Sequence, residues 1–215
     1  MFDDRARATH SSRGVRFWLA AAALGLACGS AAAQTAPAKH LVIPFENGTH
    51  EPRGYWLGEA SSVVLTDDLI ALGVSAITRD DRLRAFERLH LPTDAALSLA
   101  TAIRLGQVVG ADQVIVGSFE LHGTNLLVKA RSIRLDTGRM SPEITELGTY
   151  DDLFGIYGRI AQKIAPTSIV SIEAMEQQHP PLAAFEEYIK GVLAEAPATQ
   201  IAFLTQALKA APDFH

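Results

Sequence analysis

Residues 108–138, VVGADQVIVGSFELHGTNLLVKARSIRLDTG, contain the pattern that decides the fold. The segment 113–121 is almost continuously apolar through Phe119, which is typical of a central strand. The residues HGTN favour a turn, and apolar and polar residues alternate over the segment 126–135 that follows. This stretch therefore predicts a central strand that pairs with its neighbour through a hairpin.

The residues on either side of this hairpin predict strands and helices in alternation. HLVIPF (40–45) and VSAIT (74–78) are typical of short buried strands, and EITELGTY (143–150) of a third antiparallel strand. Helices are predicted over 55–72, 79–91, 93–110 and 151–165, of which the first and last are amphipathic. Thr93 or Asp94 is predicted to cap the third, and Gly110 to end it in a left-handed conformation. The predicted fold class is α/β (α+β), with a mixed sheet of about five strands covered by helices.

The segment after Pro166 has a different pattern. Residues 166–180 are predicted to form a linker, and residues 181–215 contain two apolar-striped helical segments joined by APA. A helical hairpin of this size cannot bury its apolar faces alone. We therefore predict an α/β domain over 40–165, followed by a separate helical hairpin.

The amino terminus has the three-part pattern of a secretory signal peptide. Four arginines precede the apolar run FWLAAAALGLA, and the small residues of SAAAQ predict cleavage after Ala33. The alternative is lipid attachment at Cys28, but Gly25 stands where a lipoprotein signal carries a larger aliphatic residue. The sequence therefore predicts a signal peptide over 1–33, a linker over 34–39 and a periplasmic protein with no stable membrane span after cleavage.

Charge and cysteine content exclude several classes of function for the exported chain. Four of the 19 Lys and Arg and two of the 24 Asp and Glu lie in residues 1–33, which leaves a net charge of −7. A nucleic-acid-binding protein needs a dense cationic face instead. Cys28 is the only cysteine, so cleavage after Ala33 leaves no disulfide, thiol nucleophile or thiolate metal ligand.

Residues 108–138 resemble the TolB amino-terminal-like domain. In that domain a helix ends at Gly-Ala-Asp, a strand with an internal Gly-Ser follows, and a hairpin strand closes in an Asp- and Gly-containing turn. The matching residues here are Gly110, Ala111, Asp112, Gly117, Ser118, Asp136, Thr137 and Gly138. The resemblance covers about 40–165 and implies an α/β unit used for contacts in the cell envelope.

The tail resembles the start of a tetratricopeptide repeat. The segments AFEEYIKG and FLTQALKAAPDF carry the resemblance, and Leu204, Ala207 and Pro212 match the pattern of the second helix. The next repeat would begin after His215, so we expect the sequence to be the front of a longer protein. Such repeats stack into grooves for protein segments, so both resemblances imply interaction modules, not enzymes.

The opening loop, PFENGTHEPRGYWLGEA (44–60), follows a strand and precedes a helix, as a phosphate-binding loop does. A P-loop requires G-x-x-x-x-G-K-[ST], whereas five residues separate Gly48 from Gly54, and Tyr55 and Trp56 replace the lysine and the hydroxyl. We interpret this loop as a docking edge or a structural joint, with no cofactor.

No metal or catalytic site is predicted. The histidines after residue 33 form no i, i+4 pair, and His50 beside Glu51 is the best metal candidate, interpreted as a solvated loop pair. Ser118 lies inside a strand and not on a nucleophile elbow. Asp67 and Asp68 diverge by about 100° on a helix and, with Glu59 on its polar side, are interpreted as part of a solvated face.

Asp136-Thr137-Gly138 superficially matches the signature of an aspartic protease. That chemistry needs two such motifs, and only one is present. We expect Asp136 to form an Asx-type bond within the turn and Gly138 to take a positive φ.

The remaining candidates are surfaces for partners. Tyr55 and Trp56 flank the opening loop, and exposed Tyr and Trp side chains often anchor interfaces; the alternative is that Trp56 caps the core. Phe203 lies on the apolar face of the tail, which needs further repeats or a partner to cover it.

We therefore predict an exported, non-enzymatic interaction or scaffold protein whose partners are other envelope proteins. One alternative is a small-ligand-binding module with a pocket near 46–54 and 78–82. A less favoured alternative is a cryptic hydrolase, which would require an acid-base cluster near Ser118 or His50.

Overall fold

Strand β4 (Gln113–His122) lies at the centre of a mixed sheet in a computed structural model that describes residues 38–92, 97–166 and 168–213. Several predicted features lie outside these residues, namely the signal peptide with Cys28, most of the 34–39 linker, Thr93, Asp94 and His215. The other strands are β1 (Lys39–Val42), β2 (Glu46–Asn47), β3 (Ser75–Ala76), β5 (Asn125–Arg134) and β6 (Ile144–Thr149). The helices are α1 (Leu57–Ala71), α2 (Arg79–Arg88), α3 (Leu99–Val109), α4 (Leu153–Ile164), α5 (Ile172–Glu176), α6 (Leu182–Leu193) and α7 (Pro197–Ala210).

The strand order is β3-β1-β4-β5-β6, and β2 pairs with β4 beyond the end of β1. β1 is parallel to β3 and β4, whereas β4, β5 and β6 form an antiparallel meander. The hairpin register pairs Gly117 with Ala130 and Ser118 with Lys129. The predicted fold class, a mixed sheet of about five strands covered by helices, is confirmed.

Helices cover both faces of the sheet. On one face, α1, α4 and α6 bury a first core against β4 and β5, to which Trp56, Leu65, Phe119, Ile156 and Phe185 belong. On the other face, α2 and α3 pack on β1 and the start of β4 around a second core, which contains Leu41, Phe86, Leu105 and Val114. Strand β4 is apolar on both sides because it contributes to both cores.

Helix α3 begins later than the sequence predicted. Its N-cap is Ser98, whose hydroxyl accepts a hydrogen bond from the Thr101 backbone N–H at 3.2 Å. The predicted caps Thr93 and Asp94 are outside the described ranges. At the other end the prediction is confirmed, because Gly110 adopts φ 66° and ψ 36°.

The stretch predicted as a linker, 166–180, contains α5. The Ser171 hydroxyl caps this short helix by accepting from the Ala174 backbone N–H at 3.2 Å. Met175 is buried in the first core, and Gln162 of α4 donates to the Val170 carbonyl at 3.0 Å. The chain therefore follows α4 closely before it enters α6.

The helical hairpin α6–α7 contacts the α/β unit through α6. Phe185 and Ile189 are buried in the first core, and the Phe185 ring lies edge-on to Trp56 with centroids 6.3 Å apart. The division into domains at 40–165 and 181–215 stays a prediction. In the part of the chain that the structure describes, no helix is both long and apolar enough to cross a membrane.

Candidate protein-binding groove

An open groove of about 890 Å³ lies between α1, the segment 175–181 and the helices α6 and α7. We call it the α1–α7 groove. Apolar side chains form much of its surface, among them Val63, Ala71, Phe185, Leu204, Ala207 and Leu208. Leu208 is 52% exposed, so the α7 wall presents apolar surface to solvent.

Asp67 and Asp68 line the groove from consecutive positions on α1. Asp68 is 1% exposed, because it shares a helix face with Leu65 and Leu72, three residues before it and four residues after it. Its Oδ1 atom lies 2.8 Å from Nε2 of His179, which comes from the segment between α5 and α6. The second carboxylate, Asp67, is exposed.

His179 is held by an aromatic contact as well as by Asp68. Its ring stacks on Phe154 of α4 with centroids 4.4 Å apart and planes 5° from parallel. The Phe154 ring also lies edge-on to Phe185 at 5.3 Å. These contacts hold the imidazole between α1 and α4 at the rear wall of the groove.

Burial determines the electrostatics of the two carboxylates. Removal of water raises the pKa of Asp68, and the hydrogen bond and charge of His179 oppose this rise. For Asp67, desolvation by the surrounding protein raises the pKa to about 6 although the side chain is exposed, and His179 again opposes the rise. The Oδ2 atom of Asp68 is buried and has no hydrogen-bond partner among the described residues.

A buried ion-pair network lies next to the groove on α1 and α2. Glu59 Oε1 accepts from Arg79 Nε at 2.7 Å and from Arg82 Nη2 at 2.5 Å. Arg82 Nη1 also donates to the Ser62 hydroxyl, and Arg79 donates to the Val192 carbonyl at the end of α6. The network thus connects α1, α2 and α6, and it uses both arginines internally.

A second cavity, of about 420 Å³, lies beside the opening loop. Arg53 and Tyr55 line it from the loop, and Tyr150, Glu186 and Lys190 line it from the opposite side. The Tyr150 hydroxyl donates to Glu186 Oε2 at 2.5 Å, and Lys190 Nζ lies 2.6 Å from Glu186 Oε1. Burial, followed by the nearby Glu186 carboxylate, raises the pKa of Tyr150.

Hydrogen bonds hold the opening loop in place. Gly48 donates its backbone N–H to the Phe119 carbonyl at 2.8 Å, and the Asn47 side chain donates to the Glu51 carbonyl at 3.1 Å. Phe45 donates its backbone N–H to the Gly58 carbonyl at 3.1 Å, which anchors the loop to the first turn of α1. These bonds attach the loop to β4 and α1.

The three residues predicted to contact partners occupy different environments. Tyr55 is 55% exposed and lines the second cavity. Trp56 is fully buried in the first core, with edge-on contacts to Tyr150 at 6.2 Å and to Phe185, so its ring offers no surface to a partner and caps the core instead. Phe203 is half-buried on α7 and is not among the residues that line the α1–α7 groove.

The predicted motif residues have structural roles. Asp112 Oδ2 accepts the Lys39 backbone N–H at 2.8 Å, which attaches β1 to the start of β4. Gly117 has no room for a side chain, because a Cβ atom there would overlap the Lys129 carbonyl and the Phe45 ring. Asp112 and Gly117 therefore maintain the pairing and the packing of β4.

The turn after β5 differs from the prediction in one respect. The Asp136 carboxylate pairs with the Arg134 guanidinium, with Nη2 to Oδ2 at 2.5 Å, and accepts from the Thr137 hydroxyl at 3.2 Å. The Asp136 side chain thus pairs with Arg134, two residues earlier, in place of the expected Asx-type bond. Gly138 has φ 66°, as predicted.

The candidates for metal binding and catalysis are not clustered. His50 is exposed with φ 56°, and in the described ranges no group of three or more His, Cys, Asp or Glu side chains is arranged to hold a metal ion. Ser118 pairs in the sheet with Glu46 and Lys129. Of the two stretches proposed for a small-ligand pocket, Arg53 of 46–54 lines the second cavity, whereas Thr78 and Arg82 line a different one of about 80 Å³.

The prediction that Asp68 lies on a solvated face is wrong, because its side chain is buried. The spacing between Leu65 and Leu72 was the signal that could have identified it as a buried polar residue. The same holds for Glu59, which is buried with Arg82. Their partners lie far away in the sequence, so no local pattern indicates the pairing.

No family model matches this chain, and no curated protein is similar to it. Its fold is similar to that of several solved structures. Lipoprotein GNA1162 from Neisseria meningitidis has a TM-score of 0.45 at 18% identity, over 62% of this chain and 100% of that one. The LpoB C-terminal domain from Salmonella enterica has a TM-score of 0.38 at 15% identity, over 54% and 84%.

TolB from Acinetobacter baumannii is also similar, with a TM-score of 0.38 at 12% identity over 62% of this chain and 30% of the TolB chain. The resemblance of the tail to a tetratricopeptide repeat stays a prediction. Identities and TM-scores this low carry no conclusion about function.

Proposed function

We propose that this chain is an exported, periplasmic scaffold protein that binds other proteins of the cell envelope and carries out no chemistry itself. The observation that carries the proposal is the α1–α7 groove, an open and largely apolar surface of about 890 Å³. Contiguous apolar surface on a folded protein marks interaction sites. The predicted signal peptide supports the periplasmic location.

A helical partner segment suits the geometry of the groove. Leu204 and Leu208 are four residues apart on α7, and Ile201, 65% exposed, continues the same stripe towards the amino terminus of the helix. A partner helix can lay its own apolar stripe against such a surface. Because His179 and Phe154 hold the opposite wall in place, the bound helix would not have to order it.

In-cell photo-crosslinking tests the proposal. Benzoylphenylalanine is introduced at position 208 in the groove and, as a control, at the exposed position 139 in the turn after β5. We expect discrete protein adducts from position 208 and none from position 139. The absence of adducts from position 208, in a chain verified as exported and folded, would remove the proposal.

A second candidate function is the binding of a small ligand in the cavity beside the opening loop. Its volume of about 420 Å³ lies within the range of small-molecule sites, and the hydroxyl of Tyr150, the carboxylate of Glu186 and the ammonium of Lys190 converge on it. A ligand at about 100 times its Kd would add about 2.7 kcal/mol to the stability. A metabolite pool that raises the Tm of the wild type but not of Tyr150→Phe would favour this function.

A hydrolase is the least favoured hypothesis for the function. Within the described chain no hydrogen bond joins Ser118 to a histidine, and His50 lies in the exposed opening loop. Neither residue has the base and orienting group that nucleophilic catalysis requires.

A further inference from the structure

The second oxygen of the Asp68 carboxylate is the unusual feature of the α1–α7 groove. Asp68 lines the groove, it is almost fully buried, and only its Oδ1 atom has a partner, which is His179. The Oδ2 atom has none among the described residues. A buried carboxylate oxygen without a hydrogen bond is costly, so this position favours a donor supplied from outside the chain.

Carboxylates are the main ionisable groups of the groove, and His179 is the one basic side chain among its lining residues. Asp67, Asp68 and Asp213 line it, and no Lys or Arg is among its lining residues, all of which the structure describes. The nearby Arg79 donates to Glu59 at 2.7 Å and is therefore already engaged. A cation that enters the groove would meet two adjacent carboxylates, one of them desolvated, where charge-assisted hydrogen bonds are strong.

Much of the remainder of the groove is apolar. Phe185 forms part of its floor, and Leu204, Ala207 and Leu208 line it from α7. A free inorganic cation would leave this surface uncovered, whereas a polypeptide segment can cover it and also carry a charged side chain. The long stem of Lys or Arg crosses an apolar wall and delivers its charge at the end.

We propose that the α1–α7 groove binds an apolar polypeptide segment that inserts one Lys or Arg side chain between Asp67 and Asp68. The inserted ammonium or guanidinium donates to Oδ2 of Asp68 and pairs with Asp67 at the rim, while apolar side chains of the segment cover Leu204 and Leu208. This inference rests on the proposed interaction function and specifies the chemistry of the partner at the same groove.

Selection from a random peptide library tests the inference without knowledge of the partner. Peptides of about 16 residues, long enough to form a short helix, are displayed on phage and selected on the full exported chain. Enriched peptides are then synthesised, and their Kd values are measured by fluorescence anisotropy against the wild type, Asp67→Asn and Asp68→Asn. The matched control is Glu143→Gln. Glu143 carries an exposed carboxylate just before β6 and does not line the groove.

We expect the enriched peptides to share a Lys or Arg flanked by Leu, Ile or Phe. Their affinity should fall about tenfold or more in Asp68→Asn and in Asp67→Asn and stay unchanged in Glu143→Gln. Replacing the basic residue of the peptide by norleucine should have the same effect on the wild type and little further effect on Asp68→Asn. Asp67 is exposed, so its variant reports on charge even where Asp68→Asn reduces folding.

Three results would overturn the inference: no enrichment, enriched peptides without a basic residue, or affinities that are unchanged in both aspartate variants. The outcomes separate it from the proposed function. Adducts from position 208 in cells together with peptides that lack a basic residue would leave the scaffold function standing and remove this inference. Basic peptides bound through Asp67 and Asp68, without adducts from position 208 in cells, would support the binding chemistry of the groove and remove the scaffold function.

Discussion

The Nε2 atom of His179 lies 2.8 Å from Oδ1 of Asp68, although 111 residues separate them in the chain. This contact joins the middle of α1 to the segment that leads into α6, and it lies at the rear of the α1–α7 groove. The stack of His179 on Phe154 adds α4 to the same junction. One side chain thus connects the α/β unit to the helical tail at the surface we propose for partner binding.

Loss of the imidazole should destabilise the protein. In His179→Ala neither oxygen of the buried Asp68 carboxylate keeps a partner among the described residues, so we expect the free energy of unfolding to fall by about 2 kcal/mol in urea denaturation. Asp68→Asn combined with His179→Ala should recover part of this loss. His122→Ala, at a histidine whose side chain is 67% exposed, is the control and should stay within about 0.5 kcal/mol of the wild type. An equal loss of unfolding free energy in His179→Ala and His122→Ala would contradict the role of His179.

The raised pKa of Asp67 predicts that the variant Asp67→Asn becomes more stable than the wild type as the pH rises. The pKa of about 6 in the folded protein exceeds the ordinary value of 3.8, so the folded state holds this proton more tightly than the unfolded state. The contribution to stability is therefore fully present below about pH 4 and is lost as the pH rises through 6. At pH 7 the ionised side chain destabilises the fold, and Asp67→Asn should be more stable by about 1 kcal/mol, a value reduced for solvent exposure.

Urea denaturation at pH 4, 5, 6 and 7 measures this difference, which should vanish at pH 4. Asp136→Asn is the matched control, because Arg134 lowers the pKa of Asp136 and its removal should give no gain at pH 7. A gain of Asp67→Asn that is the same at pH 4 and pH 7 would show that ionisation of Asp67 is not its cause.

The sequence was sufficient for the sheet and insufficient for the groove. The apolar run over 113–121 and the alternation over 126–135 predict β4 and β5 because strand periodicity is local. The end of α3 at Gly110 was predictable for the same reason, since only a residue without Cβ adopts the left-handed conformation freely.

The buried polar residues depend on partners that no local pattern reveals. Glu59 and Asp68 are predicted to lie on the solvent side of a helix. Each is instead buried and hydrogen-bonded to a side chain from another element, Glu59 to Arg82 and Asp68 to His179. The burial of Trp56 likewise depends on a residue distant in the sequence, Phe185 of α6. Residues whose environment is formed by distant parts of the chain require the tertiary structure.

Gly110 provides a test of backbone conformation alone. Apart from its chain neighbours and the backbone of its own helix, no atom of the described residues lies within 4 Å of the position that its Cβ would take, so Gly110→Val acts mainly through φ. We expect the free energy of unfolding to fall by about 2–3 kcal/mol in Gly110→Val and by about 1 kcal/mol in Gly110→Asn, because Asn tolerates the left-handed region better. Thermal denaturation followed by circular dichroism measures both. Unchanged melting of the valine variant would mean that the helix does not end there.

Gly117 provides the complementary test of packing. Its Cβ would overlap the Lys129 carbonyl of the neighbouring strand and the ring of Phe45. Gly117→Ala should therefore destabilise the protein by about 3 kcal/mol, at the upper end of the usual cost of overpacking. Adding Phe45→Leu should recover only part of the loss, since the backbone carbonyl cannot move away. Full recovery would assign the whole clash to the ring.

Truncation after residue 166 tests whether the α/β unit folds on its own. The sheet, α1 and α4 contribute most of the first core, so the shortened chain should keep a single cooperative thermal transition. Its Tm should be lower, because loss of α6 removes Phe185 from the faces of Trp56 and Phe154. Trp56 is the only tryptophan after residue 33, so its fluorescence should shift to longer wavelength as solvent reaches the ring. The variant Phe185→Ala in the full chain is the matched control and should give a smaller shift in the same direction. Loss of the cooperative transition would show instead that the α/β unit and the helical tail share one indivisible core.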